Sequence, residues 1–284
     1  MTGSPTMRRR RLAAELRRLR HEAGLSIDDA VSQLGWPSSK LSRIENRQIG
    51  IKTTDLRKLL TLYKVNDQAQ QQALLDMARR AGERGWWQAY GDVMPSEYST
   101  YVGLEAEASE IRTYQPELVH GLLQTEAYAR AVIRTFRPND TAEEIDRRVE
   151  VRLARQQILT GSNPPRVRVV LNEGAVRRRV GGPGVMREQL HYLASERDRG
   201  NVIVQIMPFT AGEHPAMTGP FVILDFPEPT DLGVVVVENM SSALSLEKPE
   251  DLRRYTMAFD YLSAAALGPK ESRDMLIALA EELS

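Results

Sequence analysis

The segment Ser26–Arg47, SIDDAVSQLGWPSSKLSRIENR, constrains the fold of this chain more than any other part of the sequence. Ser26 is a favourable N-cap, and two aspartates follow it in the first turn of a helix. Gly35 then provides a residue that tolerates the positive φ of a tight turn, and Pro37 can open another helix. The pattern predicts two short helices that meet at the glycine.

The second of these helices has two sides of different chemistry. Its apolar stripe is narrow and consists of Leu41 and Ile44. At 100° per residue, the opposite side carries small, polar and basic residues, namely Ser39, Ser42, Arg43 and Asn46. A helix that enters the major groove of DNA needs short residues for close approach and a long donor for a base edge. We therefore predict that this helix contacts double-stranded DNA.

The charge of the chain is divided unevenly, although it sums to zero. Residues 1–80 hold 16 Lys and Arg against 8 Asp and Glu, whereas the rest of the chain holds 22 against 30. Such an asymmetry indicates a polyanionic partner for the basic part. The absence of cysteine excludes disulfides, cysteine-bound metals and thiol catalysis. The sequence also lacks the long apolar run that a membrane helix needs.

Two motifs in the basic part carry a family resemblance. They are Leu-Ser-Arg-Ile-Glu-Asn at 41–46 and Leu-Arg-Lys-Leu-Leu at 56–60. With them, residues 8–64 resemble the DNA-binding domain of the xenobiotic-response-element class of helix-turn-helix regulators, which includes phage repressors. The sequence departs from this class at Arg47, where glycine often follows the Glu-x pair.

The resemblance assigns roles to individual residues. Ser38, Ser39 and Arg43 match the base-reading positions, and an arginine that donates twice to guanine is the commonest specific contact. Phosphate contacts, which position a protein without specifying sequence, are expected from Lys40, Arg47 and Arg11. The resemblance also implies a structural ion pair between Glu45 and an arginine on the first helix, for which Arg20 is at the matching position.

The hydrophobic pattern changes along the chain and predicts an α+β fold. We expect a five-helix domain over residues 1–81, a linker over 82–95 and a mixed α/β domain over 96–284. Helices are expected over Glu97–Thr113 and near the C-terminus. A roughly four-stranded sheet is predicted from the β-rich runs Arg166–Asn172, Val202–Met207, Phe221–Phe226 and Val234–Glu238. A helix between the first two runs makes them a βαβ candidate, and the last two suggest a hairpin.

The larger domain carries a second resemblance. GLLQTEAYARAVI at 121–133 and VQIMPFTAGEHPAMTGPFVILDF at 204–226 are two of the motifs that carry it. Residues 95–284 resemble the domain of unknown function attached to actinobacterial regulators of the WhiJ type. The resemblance implies a regulator often encoded beside a small partner protein, and no established catalytic activity. His120 is a departure, because proline usually stands there.

The candidate ligand or partner contacts of this domain are polar residues in apolar surroundings: Gln124, Glu126, Arg155, Gln156 and His214. The first four lie in predicted helices, where buried hydrogen bonds that fix the fold are the simpler interpretation. His214 lies on a loop rich in Gly and Pro, where sites are common. The scattered histidines form no metal-ligand spacing, and no G-x-S-x-G motif occurs. We therefore predict no enzyme activity, no metal and no cofactor.

These patterns together predict a cytoplasmic, nucleoid-associated transcriptional repressor without a membrane segment. It would bind DNA through residues 8–64 as a homodimer, with residues 95–284 carrying self-association and sensing a ligand or a small partner protein. Two alternatives remain open. One is an antitoxin-like protein that binds a small partner protein and autoregulates its own operon. The other is an enzyme domain under DNA-bound control.

Overall fold

The structure is a computed structural model that describes residues 5–83, 85–195, 200–228, 231–239 and 243–283. The chain divides into two compact units, one that ends at Ala89 and one that begins at Tyr90. The boundary between them lies within the segment 82–95 that the sequence predicts as a linker. No helix in the described ranges is both long and apolar enough to cross a membrane.

The first unit is all-α, and its five-helix prediction is confirmed within the described residues. The helices are α1 (Pro5–Glu22), α2 (Ile27–Leu34), α3 (Ser38–Glu45), α4 (Thr53–Leu62) and α5 (Gln68–Ala81). Their shared core consists largely of leucines, among them Leu12, Leu16, Leu19, Leu41, Leu56, Leu59 and Leu60. The core leaves the polar side of α3 exposed.

Local chemistry explains why α2 and α3 meet at a sharp turn. Ser26 Oγ accepts a hydrogen bond from the Asp29 backbone N–H at 3.1 Å, and Asp29 accepts from the Ser26 N–H at 3.0 Å. This capping box fixes the start of α2. Gly35 follows α2 with φ of 64°, a conformation that favours glycine. Ser26 and Gly35 therefore mark the start and the end of α2, as the sequence predicts.

The second unit is built on a mixed sheet. Its strands are β1 (Glu110–Gln115), β2 (Arg166–Asn172), β3 (Val202–Met207), β4 (Phe221–Asp225), β5 (Val234–Glu238) and β6 (Ala243–Leu246). Their spatial order is β3-β2-β1-β4-β5-β6. Strands β1, β2 and β3 are parallel, whereas β4, β5 and β6 join antiparallel. The parallel βαβ pair and the β4–β5 hairpin follow the sequence prediction.

Helices α6 to α12 complete the second unit. Their bounds are α6 (Ser96–Glu105), α7 (Glu126–Phe136), α8 (Ala142–Gln156), α9 (Glu173–Arg177), α10 (Pro183–Ser195), α11 (Pro249–Ala265) and α12 (Pro269–Glu281). Helix α11 packs on the sheet, where Phe259 and Leu262 are buried in one cluster with Tyr114, Ile223 and Val235. Helix α12 packs against α10 and β3.

The α+β fold class is confirmed, but one predicted helix is partly wrong. The helix expected over Glu97–Thr113 ends at Glu105, and β1 begins at Glu110. Residues of β1 alternate between the two faces of the sheet, with Ile111 opposite Val167 of β2. The sheet therefore has two more strands than expected within the described residues, namely β1 and the short β6.

Candidate functional site

The exposed side of α3 carries the predicted base-reading residues. Leu41 and Ile44 are buried in the core, whereas Ser38, Ser39 and Arg43 are exposed. The side chain of Arg43 makes no hydrogen bond or ion pair with any residue in the described ranges. Its guanidinium is thus free to donate to a partner outside the chain.

Helix α3 is tied to α1 by a buried ion pair. Arg20 Nε lies 2.8 Å from Glu45 Oε1, and Arg20 Nη2 lies 3.0 Å from Oε2. Arg20 Nη1 also donates to the Leu25 carbonyl at 2.8 Å. The hydrogen bonds to Glu45 raise the pKa of the Arg20 guanidinium although burial opposes this. The pair that the resemblance implies is thus present, and it fixes the C-terminal end of α3.

A second arginine joins this pair, and sequence reasoning missed it. Arg17 Nη2 donates to the Glu45 carbonyl and to Asn46 Oδ1, both at 3.1 Å. Asn46 Nδ2 in turn donates to Ser42 Oγ at 3.3 Å. The Arg17 side chain remains 49% exposed, so it can still contact a phosphate. The available signal was its spacing of three residues from Arg20, which puts both on one side of α1.

Arg47 occupies a backbone position that favours glycine. Its φ is 63°, and the N–H groups of Arg47 and Gln48 donate to the carbonyls of Ile44 and Arg43 at 3.0 and 2.8 Å. These two bonds form a Schellman motif that ends α3. The usual glycine of the resembled class is explained by this conformation, and Arg47 adds an exposed cation beside the helix end.

Two other predicted phosphate contacts are less exposed. Lys40 Nζ lies 2.8 Å from Asp55 Oδ2 and 4.0 Å above the centre of the Trp36 ring. The charge of Lys40 is therefore largely neutralised by α4. Arg11 is half-buried on α1. The structure thus brings Arg17, Ser42 and Asn46 into one network and leaves Arg43 apart from it.

In the second unit, a buried polar cluster surrounds Arg155. Its Nε and Nη2 each lie 2.8 Å from a carboxylate oxygen of Glu105. Tyr101 donates to Glu105 at 2.7 Å, and His120 Nε2 lies 3.3 Å from the Tyr101 hydroxyl. Nδ1 of His120 accepts from the Leu122 N–H at 3.4 Å, so the neutral ring donates through Nε2. Burial lowers the pKa of His120 to about 4, so the ring stays neutral at physiological pH.

This cluster borders a cavity of about 620 Å³. The walls are mostly apolar, and the volume lies in the range of small-molecule sites. Gln124 and Arg155 of the predicted contacts line the cavity. Gln156 is not among the lining residues and donates to the carbonyls of Gly121 and Gln124 at 3.2 and 2.7 Å.

The remaining predicted contacts lie elsewhere in the second unit. Glu126 is exposed and pairs with Arg130 at 3.1 Å. His214 lies near the Tyr114 hydroxyl at 3.1 Å, and its Nδ1 accepts from the Ala216 N–H at 3.3 Å. Both ring nitrogens of His214 therefore have partners within the fold. In the described ranges, no group of three or more His, Asp and Glu could hold a metal ion.

Family models match both units. A model described as a helix-turn-helix domain matches residues 11–74, and one described as a domain of unknown function (DUF5753) matches residues 98–278. No curated protein and no solved structure matches the chain. The helix-turn-helix match indicates a DNA-binding regulator, which agrees with the prediction of a non-enzymatic protein.

Proposed function

Because the chain belongs to the family defined by the domain of unknown function DUF5753 and begins with a helix-turn-helix domain, we propose that it is a sequence-specific transcriptional repressor. It binds duplex DNA through the exposed side of α3 and acts as a homodimer in the nucleoid. The resemblance to actinobacterial xenobiotic-response-element and WhiJ-type regulators supports this proposal.

The proposal rests mainly on the exposure of the Arg43 side chain and on its lack of partners in the described ranges. Arg43 is exposed on a helix whose opposite side is buried, and its side chain has no partner within the described ranges. The neighbouring side chains Ser38 and Ser39 are short, so the helix can approach the floor of the major groove. Arg43 then reads a guanine edge with two donors.

Cations around α3 position the helix on the phosphate backbone. Arg17 and Arg47 are the main candidates, since both are exposed and flank the end of α3. Lys40 and Arg11 contribute less, because Lys40 is paired with Asp55 and Arg11 is half-buried. Such contacts add affinity that depends on salt and not on sequence.

The second unit supplies the dimer contact and the regulatory input. A single helix-turn-helix reads one half-site, whereas a dimer reads two half-sites separated by about one helical turn, 10 to 10.5 base pairs, or a multiple of it. The second unit has an excess of acidic residues over basic ones, and so it has no evident role on DNA.

Selection of bound sequences from random duplex DNA by the full chain tests the proposal. We expect an inverted repeat with a guanine at one fixed position in each half-site. Recovery of sequences without any common motif would contradict sequence-specific binding. A motif without symmetry would still support sequence-specific binding, but it would exclude binding as a homodimer.

Purification from the native cells separates this function from the antitoxin-like alternative. In that alternative the second unit neutralises a small partner protein and DNA binding only autoregulates the operon. A stoichiometric small protein whose toxicity is relieved by this chain would support the alternative. A chain that purifies alone and represses a reporter behind its selected site supports the repressor.

A further inference from the structure

The cavity of the second unit has unequal charges on its walls. Four arginines line it: Arg137, Arg148, Arg152 and Arg155. Arg155 is neutralised by Glu105, and Arg148 Nε pairs with Asp140 at 2.6 Å. Arg137 and Arg152 have no carboxylate partner within the described ranges.

The acidic side chains of the lining do not balance these two arginines. Glu117 pairs with Arg178 at 2.5 Å. Glu238 is exposed and is the one lining carboxylate without an ion-pair partner in the described part of the chain. His120 is neutral near pH 7, since burial lowers its pKa to about 4. The cavity therefore has an excess of positive charge.

Arg152 has donors that the fold does not use. Its Nη1 donates to Gln124 Oε1 at 2.8 Å, while its Nε is buried without a hydrogen-bond partner in the described ranges. Gln124 is itself held, because its Nε2 donates to the Val119 carbonyl at 2.7 Å. A buried donor left unsatisfied is costly. The protein thus orients the Arg152 side chain but leaves some of its hydrogen-bond donors without partners in the described ranges.

Apolar side chains also line the cavity. They include Val132, Ile133 and Phe136 of α7, and Val151 of α8. Arg137 follows the C-terminal end of α7, whereas Arg152 lies about 15 Å along α8 from its first residue, Ala142, at 1.5 Å per residue. Arg152 reaches Gln124, which precedes the first residue of α7, so the two unpaired arginines lie near opposite ends of α7.

We propose that this cavity binds a small organic anion with an apolar body, whose acidic group accepts hydrogen bonds from the guanidinium of Arg152. A carboxylate, sulfonate or phosphate accepts two parallel N–H bonds from an arginine, and so it satisfies the donors that the fold leaves free. The body of the ligand lies on the aliphatic and aromatic wall. The regulatory effect of such a ligand rests on the proposed function, whereas the binding of the ligand does not.

Fluorescence titration of the full chain tests the site with two matched probes. 8-Anilinonaphthalene-1-sulfonate carries the acidic group, and N-phenyl-1-naphthylamine is the same aromatic body without it. We expect Arg152→Gln to weaken binding of the sulfonate about tenfold to a hundredfold, and to leave the neutral probe unchanged. Arg137→Gln removes the same charge near the other end of α7, and we expect a change below about threefold.

Arg152→Lys provides a second variant that keeps the charge and removes the paired donors. It should bind the sulfonate with intermediate affinity. Sulfonate binding that is equal in the wild type and both Arg152 variants would overturn the proposal, as would equal affinity for the two probes. Probe bound at exposed apolar side chains elsewhere contributes a background that does not depend on Arg152.

Competition then distinguishes the acidic groups. 1-Naphthylacetate and 1-naphthyl phosphate are added to the protein with bound sulfonate probe. Displacement by one of them identifies a carboxylate or a phosphate ligand, and failure of both leaves a sulfonate as the acidic group that the site accepts. All titrations are done without DNA, so their failure leaves the proposed repressor function intact. Conversely, a chain that fails to bind a specific DNA sequence could still bind the anion, and the titrations would show it.

Discussion

Arg20 donates two hydrogen bonds to Glu45 and thereby joins α1 to the last residue of α3. Both side chains are buried, with 5% and 3% of their surface exposed. The position of the DNA-facing helix therefore depends on an ion pair that lies behind it. A second arginine, Arg17, reaches the same carboxylate from the solvent side at 3.5 Å.

We expect Glu45→Ala to destabilise the first unit by about 3–5 kcal/mol, because it leaves the Arg20 charge buried without a partner. Urea denaturation of the fragment that ends at Ala89 measures the change. Glu22→Ala is the control, since Glu22 pairs only at the exposed surface with Arg18. An unchanged free energy of unfolding in Glu45→Ala would show that the pair is of no structural importance.

Arg43→Ala should weaken binding to the selected site by about 1–3 kcal/mol and relax the preference at one base position. Arg17→Ala should weaken binding to selected and random DNA alike and reduce the salt dependence of binding by about one unit of slope. Electrophoretic mobility shifts at several salt concentrations measure both effects. Equal losses on selected and random DNA for Arg43→Ala would contradict the base-reading role.

The helices of the first unit could be predicted because their signals are local. Ser26, Gly35 and Pro37 act on the backbone beside them, and the apolar residues of α3 recur at helical spacing. The partners of single side chains were less accessible. Lys40 is predicted as a phosphate contact, yet it pairs with Asp55, which lies on another helix. Only the packing of α3 beside α4 brings these two residues together.

The missed strand β1 has a different physical reason. Only four residues separate Glu105 from Glu110, and none of them is Gly or Pro, so the boundary carries no turn signal. The strand is defined by its neighbours β2 and β4, which are distant in sequence. The cavity was missed for the same reason, since its walls come from segments between Val93 and Asn239. The sequence marks Gln124 and Arg155 only as polar residues in predicted apolar helices, and Gln124 in fact precedes α7.

Lys64→Gly should stabilise the first unit by about 0.5–1 kcal/mol, because Lys64 adopts a conformation that is costly for residues other than glycine. Its φ is 56°, and the N–H of Val65 donates to the Leu60 carbonyl at 3.0 Å to close α4. Thermal denaturation of the fragment that ends at Ala89 measures the gain. Lys64→Ala should give none, and a similar gain from alanine would assign the effect to the lost charge.

The stability of the second unit should fall as the pH drops from about 6.5 to about 4 because of His120. Burial lowers the pKa of His120 from 6.5 to about 4, so the unfolded chain binds a proton in this range that the folded chain does not. Above pH 6.5 the neutral ring costs the second unit no stability. Near pH 4 the free energy of unfolding is lower by about 3 kcal/mol. Urea denaturation of the fragment that begins at Tyr90 measures it.

His120→Gln should flatten this pH dependence, because glutamine does not titrate. His191→Gln is the matched control on α10, where the side chain is exposed. Acidic residues add their own pH dependence to all three proteins, so only the difference between the variants is informative. Identical slopes for the wild type and His120→Gln would show that His120 is not the group responsible.

We expect the second unit to carry the self-association. The apolar residues of the first unit form its own core, and the net charge of +8 over residues 1–80 disfavours approach of two copies away from DNA. Leu276 and Leu279 of α12 are buried within the second unit, so they serve its core and do not mark a dimer seam. Sedimentation at micromolar concentration should show the fragment that begins at Tyr90 as a dimer and the one that ends at Ala89 as a monomer. A monomeric second unit beside a dimeric full chain would move the dimer contact to the helix-turn-helix unit.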